Sequence, residues 1–195
     1  MPTPNQPNLL GVDWSKIPAP QDDGAARHLE GASVPDLALP ATDGRAVSLA
    51  KCQGRTVVYT YPRMGKPGQI ALVDGWDEIP GARGCTPQSC AFRDHFRELG
   101  SAGVAQVFGL STQDTPYQAE AVERLRLPFA ILSDERLAFS RALRLPTMEV
   151  ANLTLLKRLA MVIDDGRITK VFYPVFPPDR NAEDVLAWLK SNPRR

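Results

Sequence analysis

Apolar residues along this chain follow two different periods, which predict an alternation of strands and helices. The stretch "TVVYTYP", residues 56–62, is β-branched and aromatic, as is typical of a buried central strand, and Pro62 ends it. A helix is predicted from Thr86, because apolar residues then recur at helical spacing at Cys90, Phe92, Phe96 and Leu99.

The remaining pattern extends this alternation to the end of the chain. Strands are predicted for "AQVFGLS", "FAILSD" and the two halves of "LAMVIDDGRITKVFYPV", which turn at Asp165-Gly166. Helices are predicted for "TPYQAEAVERLRL", "ERLAFSRALRL" and "NAEDVLAWLKS", the last with Asn181 as its N-cap. A small hairpin around Asp43-Gly44 precedes them. The order β-α-β-α-β-α-β-β-α predicts a thioredoxin-like α/β fold with a mixed central sheet flanked by helices.

Two segments lie outside this alternation. Residues 1–30 are rich in proline and polar residues, so we expect an extended N-terminal arm that Trp14 and Ile17 could fasten to a domain at 31–195. Residues 63–84 hold five glycines and two prolines, which predicts a long irregular loop between the strand and the helix.

Composition narrows the class of protein. The chain has 195 residues, 43% of them hydrophobic, which suits one domain with one substantial core. A formal charge of +1 favours neither nucleic acid nor an anionic membrane as a partner. No apolar run reaches the ~18–20 residues of a membrane helix, and the first residues lack the features of a signal peptide. We therefore expect a soluble, cytoplasmic protein.

The candidate chemistry lies in "GARGCTPQSCAFRDHF", which contains two of the three cysteines. Cys85 falls at the predicted helix start, where free amide groups and the helix dipole favour an anion such as a thiolate, the form that attacks peroxides and disulfides. Cys90 lies five residues later, so in an intact helix the two Cα atoms are about 8.6 Å apart. A disulfide needs about 7 Å or less, so the helix start must unwind before the two sulfurs bond.

Other interpretations of these cysteines stay open at this point. Both could be structural, since free cysteine often packs as a small hydrophobic residue. A dithiol oxidoreductase would normally carry C-x-x-C, and a metal site would need more ligands than Cys85, Cys90 and His95. A redox sensor would look the same in sequence. Cys52 has no nearby partner and is expected to be a bystander, and His95 to be an exposed helix residue.

The segments "VPDLALPATDG", "TVVYTYP", "GCTPQSCAFRD", "FAILSD" and "KRLAMVIDDGRI" together resemble the peroxiredoxins. The resemblance is to the Q-type group, also called bacterioferritin comigratory protein, within the alkyl hydroperoxide reductase and thiol-specific antioxidant family. It spans roughly residues 31–190 apart from the long loop. It implies a thioredoxin fold and a thiol-dependent peroxidase that reduces hydrogen peroxide and organic hydroperoxides, with no cofactor and no metal.

The resemblance also implies roles for individual residues. Cys85 would be the peroxidatic cysteine, oxidised to a sulfenic acid, and Cys90 the resolving cysteine that forms an intramolecular disulfide with it. Arg158 matches an active-site arginine that favours the thiolate and binds the peroxide. Pro62 matches a proline that covers the thiol, and Gln88 stands where relatives carry glutamate or glutamine. A thioredoxin or similar dithiol would be the reductant, and the group suggests a monomer.

The sequence departs from the family pattern just before the reactive cysteine. Relatives carry P-x-x-x-T-x-x-C, but here the proline and threonine positions hold Glu78 and Ala82. The extra residues of the loop explain the displaced proline, with Pro62 in its place. They do not replace the hydroxyl, for which Thr86, Thr60 or a backbone group are the candidates.

Overall fold

The computed structural model describes residues 12–194, so the first eleven residues of the expected arm lie outside the described residues. The rest of that segment follows the surface with one 3-10 turn at Trp14–Lys16. Ala26 and Leu29 nevertheless pack into the hydrophobic core. The division of the chain at residue 30 stays a prediction.

A five-stranded mixed sheet forms the centre of the molecule. Its strands are β3 (Arg55–Thr60), β4 (Val104–Ser111), β5 (Ile131–Ser133), β8 (Leu159–Asp164) and β9 (Arg167–Phe172), in the spatial order β5-β4-β3-β8-β9. Strand β3 pairs in parallel with β4 and antiparallel with β8, so the sheet is mixed, as the sequence predicted. The turn at residues 165–166 joins β8 to β9 as expected.

Two short hairpins accompany the sheet. The predicted one pairs β1 (Ala38–Pro40) with β2 (Ala46–Ser48). The second, β6 (Thr147–Val150) with β7 (Leu153–Leu156), was not predicted, and its turn holds Ala151 and Asn152 at positive φ. Ala151 is neither glycine nor asparagine, so the usual sequence signal for such a turn is weak.

Five α-helices cover the sheet: α1 (Cys85–Asp94), α2 (Phe96–Ser101), α3 (Thr115–Leu125), α4 (Ala138–Leu143) and α5 (Asn181–Ser191). The pattern from 86 to 99 predicted one helix, but the chain forms two, which meet at His95. The residues between β3 and α1 contain neither strand nor α-helix, only a 3-10 turn at Trp76–Glu78, which agrees with the predicted loop.

The central strand separates two apolar clusters, because its successive side chains point to opposite faces of the sheet. Val57 and Tyr59 pack with residues of α1, α3 and α5, whereas Val58 packs with α4 on the other face. All six residues of β3 are buried. Helix α1 therefore lies on the face that Tyr59 occupies.

Tyr59 fixes α1 against the sheet. Its ring stacks on Phe92 with centroids 4.4 Å apart and planes 6° from parallel. Its hydroxyl donates a hydrogen bond of 2.9 Å to Ser89 Oγ. Gly109 on β4 leaves room for the tyrosine, since a Cβ there would lie 2.9 Å from the tyrosine hydroxyl oxygen. The helix is thus placed by both an apolar and a polar contact.

Within residues 12–194, no helix combines the length and the apolar character needed to cross a bilayer.

A partly buried ion pair joins β3 to the end of β8. Arg55 donates to both carboxylate oxygens of Asp164, at 2.8 and 3.0 Å, and to the carbonyl of Asn192. Hydrogen bonds from Arg55 hold the pKa of Asp164 below its ordinary value. The pair therefore stabilises the fold while Asp164 is ionised.

We predict that Asp164→Asn lowers the free energy of unfolding at neutral pH by about 3 kcal/mol, because it leaves a buried guanidinium without its carboxylate. The difference from wild type should persist above the ordinary carboxyl pKa and shrink as pH falls through the lowered folded pKa. Urea unfolding at several pH values measures both. Glu120→Gln, the same chemical change in a more accessible pair with Arg124, should stay close to wild type. Equal losses in the two variants would contradict the prediction.

Candidate active site

The chain enters α1 through Gly84, a position that requires glycine. Its φ is +110°, and a Cβ there would lie 2.2 Å from Pro178 Cγ and 3.0 Å from the ring of Trp14. The backbone can therefore turn sharply into the helix beneath these two residues. Cys85 follows as the first helical residue, so the predicted position of this cysteine at the helix start is confirmed.

The first turn of α1 leaves amide groups free. The backbone N–H of Gln88 bonds back to the carbonyl of Gly84 at 3.0 Å, and Pro87 has no N–H. The amides of Cys85 and Thr86 have no backbone acceptor among the described residues. Positive electrostatic potential is therefore concentrated at the end of the helix where Cys85 lies.

The Cys85 sulfur lies beside a guanidinium. Its side chain is 4% exposed, and Arg158 Nη2 approaches Sγ at 3.4 Å. In the thiol form, Sγ also donates a weak hydrogen bond of 3.6 Å to the carbonyl of Ala82. Arg158 directly precedes β8, next to the strand that leads into the long loop. The predicted proximity of Cys85 and Arg158 is thus present.

Arg158 is itself nearly inaccessible, at 3% exposure. Its Nη2 donates to the three consecutive carbonyls of residues 81–83 at 3.1 to 3.2 Å, and its Nη1 donates to Gln88 Oε1 at 2.6 Å. Its Nε has no partner within the described part of the chain. None of the ion pairs formed within residues 12–194 involves Arg158. Among these residues, the cation is solvated by dipoles alone and lacks a neighbouring carboxylate.

The Thr60 hydroxyl forms hydrogen bonds with the backbone of the residues before and after Arg158. It donates to the carbonyl of Lys157 at 2.7 Å and accepts from the backbone N–H of Leu159 at 3.1 Å. The threonine was a candidate for the missing family hydroxyl, but its proton is already used here. Its observed effect is to fix the backbone that carries Arg158.

Gln88 connects Arg158 to the last helix. The side chain is fully buried, and its Nε2 donates to Asn181 Oδ1 at 2.9 Å. The prediction that Asn181 caps α5 is wrong, because Asn181 is the first helical residue and Arg180 holds the cap position. The asparagine side chain turns instead toward α1, where Gln88 supplies a donor.

The other predicted residues surround this centre less directly. Pro62 is buried just after the end of β3. Tyr61 and Met64, which lie on either side of it in the sequence, belong to the apolar cluster that contains Cys85. Ala82 is fully buried, and its carbonyl binds Arg158. Thr86 is partly exposed and makes no side-chain hydrogen bond within the described part of the chain. The structure thus places the Ala82 carbonyl at the departure from the family pattern, while the Thr86 hydroxyl beside Cys85 has no partner within the described residues.

The two remaining cysteines differ in their surroundings. Cys90 lies in the same uninterrupted helix as Cys85, half-buried, and burial raises the pKa of its thiol. All three cysteines are free. Cys52 packs on the opposite face of the sheet, where burial also raises the pKa of its thiol. Helix geometry keeps Cys85 and Cys90 too far apart to bond without a change of backbone.

His95 lies at the junction of α1 and α2, with its Nδ1 3.1 Å from Glu98 Oε1. No group of three or more histidine, cysteine, aspartate or glutamate residues within 12–194 is arranged to hold a metal ion.

A cavity of about 110 Å³ borders Arg158. Prolines form much of its wall, one of them from the N-terminal segment and one from the long loop. The lining residues are Pro20, Gln21, Pro80, Gly81, Met148, Lys157, Arg158, Tyr173 and Pro174. Lys157 and Tyr173 in this wall both bind Asp23, at 2.6 and 2.8 Å, so the N-terminal segment is fastened at the edge of the cavity.

Sequence reasoning identified three members of the central network and missed two. Cys85, Gln88 and Arg158 come together as the motifs suggested. Asn181 was noticed only as a helix start, and Thr60 only as a substitute donor. An asparagine at a helix start is the signal that was available, but its usual meaning is a cap.

Comparison with known proteins identifies the family of the chain. The family model described as Redoxin matches residues 29–186. Peroxiredoxin Q, chloroplastic, from Oryza sativa subsp. japonica is 36% identical over 166 residues, covering 83% of this chain and 67% of the relative. Peroxiredoxin Q, chloroplastic, from Gentiana triflora is 31% identical over 205 residues, covering 98% and 85%.

A solved structure extends the comparison to the fold. The crystal structure of peroxidoxin BcpB from Mycobacterium tuberculosis superposes with a TM-score of 0.65 at 25% identity, covering 85% of this chain and 98% of that one. The predicted thioredoxin-like architecture is thereby confirmed. By family model, sequence identity and fold, the chain belongs to the Q-type group of the peroxiredoxin family and is a thiol-dependent peroxidase.

Proposed function

We propose that Cys85 is the peroxidatic cysteine and that Cys90 resolves its oxidised form as an intramolecular disulfide. The Cys85 thiolate attacks the terminal oxygen of a hydroperoxide, the O–O bond breaks, and the leaving oxygen takes a proton to depart as an alcohol or water. The sulfur is oxidised to a sulfenic acid. The Cys90 thiol then attacks that sulfur and releases water as the disulfide forms.

The observation that supports this proposal is a buried cation, without a carboxylate from the described residues, beside a cysteine sulfur. Burying an unpaired charge is costly, so an anion next to Arg158 is strongly favoured. Cys85 lies 3.4 Å from Nη2 and is the group that can supply that anion as a thiolate. As charge moves from sulfur to the departing oxygen, the same guanidinium remains within reach to stabilise it.

The surroundings of Cys90 suit a thiol that acts second. Burial raises its pKa, so it stays neutral while the helix is intact and does not compete for peroxide. Unwinding the first turns of α1 would expose it and would also bring its backbone toward residue 85. A short opening at a helix end is among the less costly rearrangements of a fold.

Peroxide binding must proceed here without the family threonine. We infer that the Arg158 guanidinium and the free amides of Cys85 and Thr86 replace that hydroxyl. We infer that a small hydroperoxide approaches through the cavity of about 110 Å³ that Arg158 lines. Its proline-rich wall favours an apolar group on the organic side of the substrate.

A dithiol of the thioredoxin type is the proposed reductant, because it can exchange with a disulfide and leave both cysteines reduced. The expectations of a monomer and of a cytoplasmic location stay predictions. A noncatalytic redox sensor would share the first oxidation step, and turnover with a reductant separates it from a peroxidase.

We predict that reduced wild-type protein loses two thiols rapidly on mixing with hydrogen peroxide. Cys85→Ser should show no rapid loss, because the attacking sulfur is absent. Cys90→Ser should lose one and accumulate a sulfenic acid, which mass spectrometry detects as one added oxygen. Cys52→Ser, which alters the half-buried cysteine on the other face of the sheet, is the matched control and should behave as wild type. Rapid two-thiol loss in Cys85→Ser would overturn the assignment, and oxidation without reductant-supported turnover would favour a sensor.

We predict that Arg158→Met lowers the second-order rate constant for peroxide by about 100-fold, the scale expected for losing a donor that stabilises developing charge. Arg158→Lys should retain part of the rate, because the charge remains but one ammonium lacks the planar fork that reaches both Gln88 and Cys85. Stopped-flow mixing measures the rate. Arg136→Met, at an exposed position, controls for loss of charge. A wild-type rate in Arg158→Met would contradict the role of this guanidinium.

We predict that oxidation lowers amide protection at residues 85–92, because disulfide formation requires the first turns of α1 to open. Hydrogen exchange of the reduced and oxidised proteins, read by mass spectrometry, tests this. Helix α3 provides an internal reference whose protection should not change. Equal protection of residues 85–92 in both states would rule out the unwinding step.

A further inference from the structure

The direction of the hydrogen bonds around Gln88 is dictated by Arg158. A guanidinium only donates hydrogen bonds and never accepts one. The Gln88 atom 2.6 Å from Arg158 Nη1 must therefore be the amide oxygen. Because the oxygen faces Arg158, the amide nitrogen of Gln88 faces the opposite way, toward α5.

This orientation fixes what residue 181 must offer. Gln88 Nε2 is fully buried and lies 2.9 Å from Asn181, so Asn181 must present its oxygen as an acceptor. The asparagine is 1% exposed, and its own Nδ2 has no partner among residues 12–194. A buried amide that uses only its oxygen suggests a position selected for an acceptor.

Asn181 is held rigidly enough to orient Gln88. The 3-10 turn Pro178–Arg180 leads directly into α5, and Asp179 Oδ2 accepts a 2.8 Å hydrogen bond from Trp14 Nε1. Pro178 in the same turn packs where the absent Cβ of Gly84 would be. The start of α5 is thereby fixed against the start of α1.

We propose that Asn181 is a positioning residue for the peroxidase reaction. Its amide oxygen orients Gln88, Gln88 orients the Arg158 guanidinium, and the guanidinium is thereby held at Cys85 Sγ. This inference rests on the proposed role of Cys85 and adds to it a residue that touches neither sulfur nor peroxide. The determining property at position 181 is a hydrogen-bond acceptor, not the asparagine amide as such.

Two substitutions of similar size separate an acceptor from a space-filling group. Asn181→Leu removes the acceptor and leaves Gln88 Nε2 unpaired. Gln88, and through it the Arg158 guanidinium, is then no longer held in one orientation. Asn181→Asp keeps an oxygen facing Gln88 and loses no hydrogen bond to the described residues, because Nδ2 makes none with them. The added negative charge should make the Cys85 thiolate less stable than in wild type, so the cysteine should ionise at higher pH.

The experiment measures, for each reduced variant, the rate of reaction with hydrogen peroxide by stopped flow and the rate of Cys85 alkylation by iodoacetamide, both as a function of pH. We expect Asn181→Leu to lower the limiting peroxide rate by about 10- to 100-fold, the scale typical of losing a group that orients an active-site residue. Asn181→Asp should keep the limiting rate within about threefold of wild type while its alkylation midpoint moves to higher pH.

Asn192→Leu is the matched control, since Asn192 stands at the other end of α5 and is exposed. It should match wild type in both measurements. A wild-type limiting rate and midpoint in Asn181→Leu would overturn the inference, as would equal losses in Asn181→Leu and Asn181→Asp. A merely structural role predicts that both variants lose thermal stability without this separation of rates.

A pair of substitutions tests the same inference if Asn181→Leu does not fold. In Gln88→Glu, Asn181 can turn its amide and donate to the new carboxylate, and the limiting rate of this single variant, whatever its value, serves as one reference for the double variant. Gln88→Glu combined with Asn181→Asp sets two carboxylates face to face without a donor. We expect a limiting rate at least tenfold below the product of the single effects, and simple multiplication would overturn the inference.

The outcome is separable from the test of the proposed function. If wild-type protein does not react through Cys85, the proposed function fails. If it does react through Cys85 and position 181 shows no acceptor dependence, only the inference about Asn181 fails.

Discussion

The arrangement of the site depends on which groups surround one buried guanidinium. Arg158 is 3% exposed and has no carboxylate at ion-pair distance among the described residues. Three backbone carbonyls, one amide oxygen and the Cys85 sulfur surround it. Dipoles can hydrogen-bond a cation but do not neutralise it, so the site still stabilises a negative charge placed beside the guanidinium. The Cys85 sulfur lies 3.4 Å from Arg158 Nη2, and the proposed mechanism supplies the negative charge there as a thiolate.

Holding the guanidinium in place involves elements far apart in the sequence. Thr60 on β3 bonds the backbone on both sides of Arg158, and Tyr59 next to it fixes α1 through Phe92 and Ser89. One strand therefore orients both the helix with the thiol and the residue that faces it. Rigid packing of this kind preorganises a site, because little rearrangement remains to be done when charge develops.

The same rigidity conflicts with disulfide formation, which needs the helix start to open. In the closed state, Gln88 links α1 to Arg158 and to Asn181, and both of these bonds start from the turns that must unwind. Under the proposed mechanism, the two tasks are separated in time. The intact helix would serve the attack on peroxide, and the opened helix would serve the approach of Cys90, since burial raises the pKa of the Cys90 thiol while the helix is closed.

The sequence by itself determined the order of most strands and helices and the mixed sheet, because hydrophobic periodicity acts over a few residues. Their position at a predicted helix start singled out Cys85 and Cys90, and the resemblance to the peroxiredoxins added Gln88 and Arg158. The sequence placed Cys85 at a helix start correctly, but it predicted one helix where His95 divides two, and it missed the hairpin of β6 and β7. Only the tertiary structure decided that Thr60 supports Arg158 and that Asn181 faces Gln88 instead of capping its own helix. Both outcomes depend on which donors and acceptors distant segments bring together, and local spacing does not encode that.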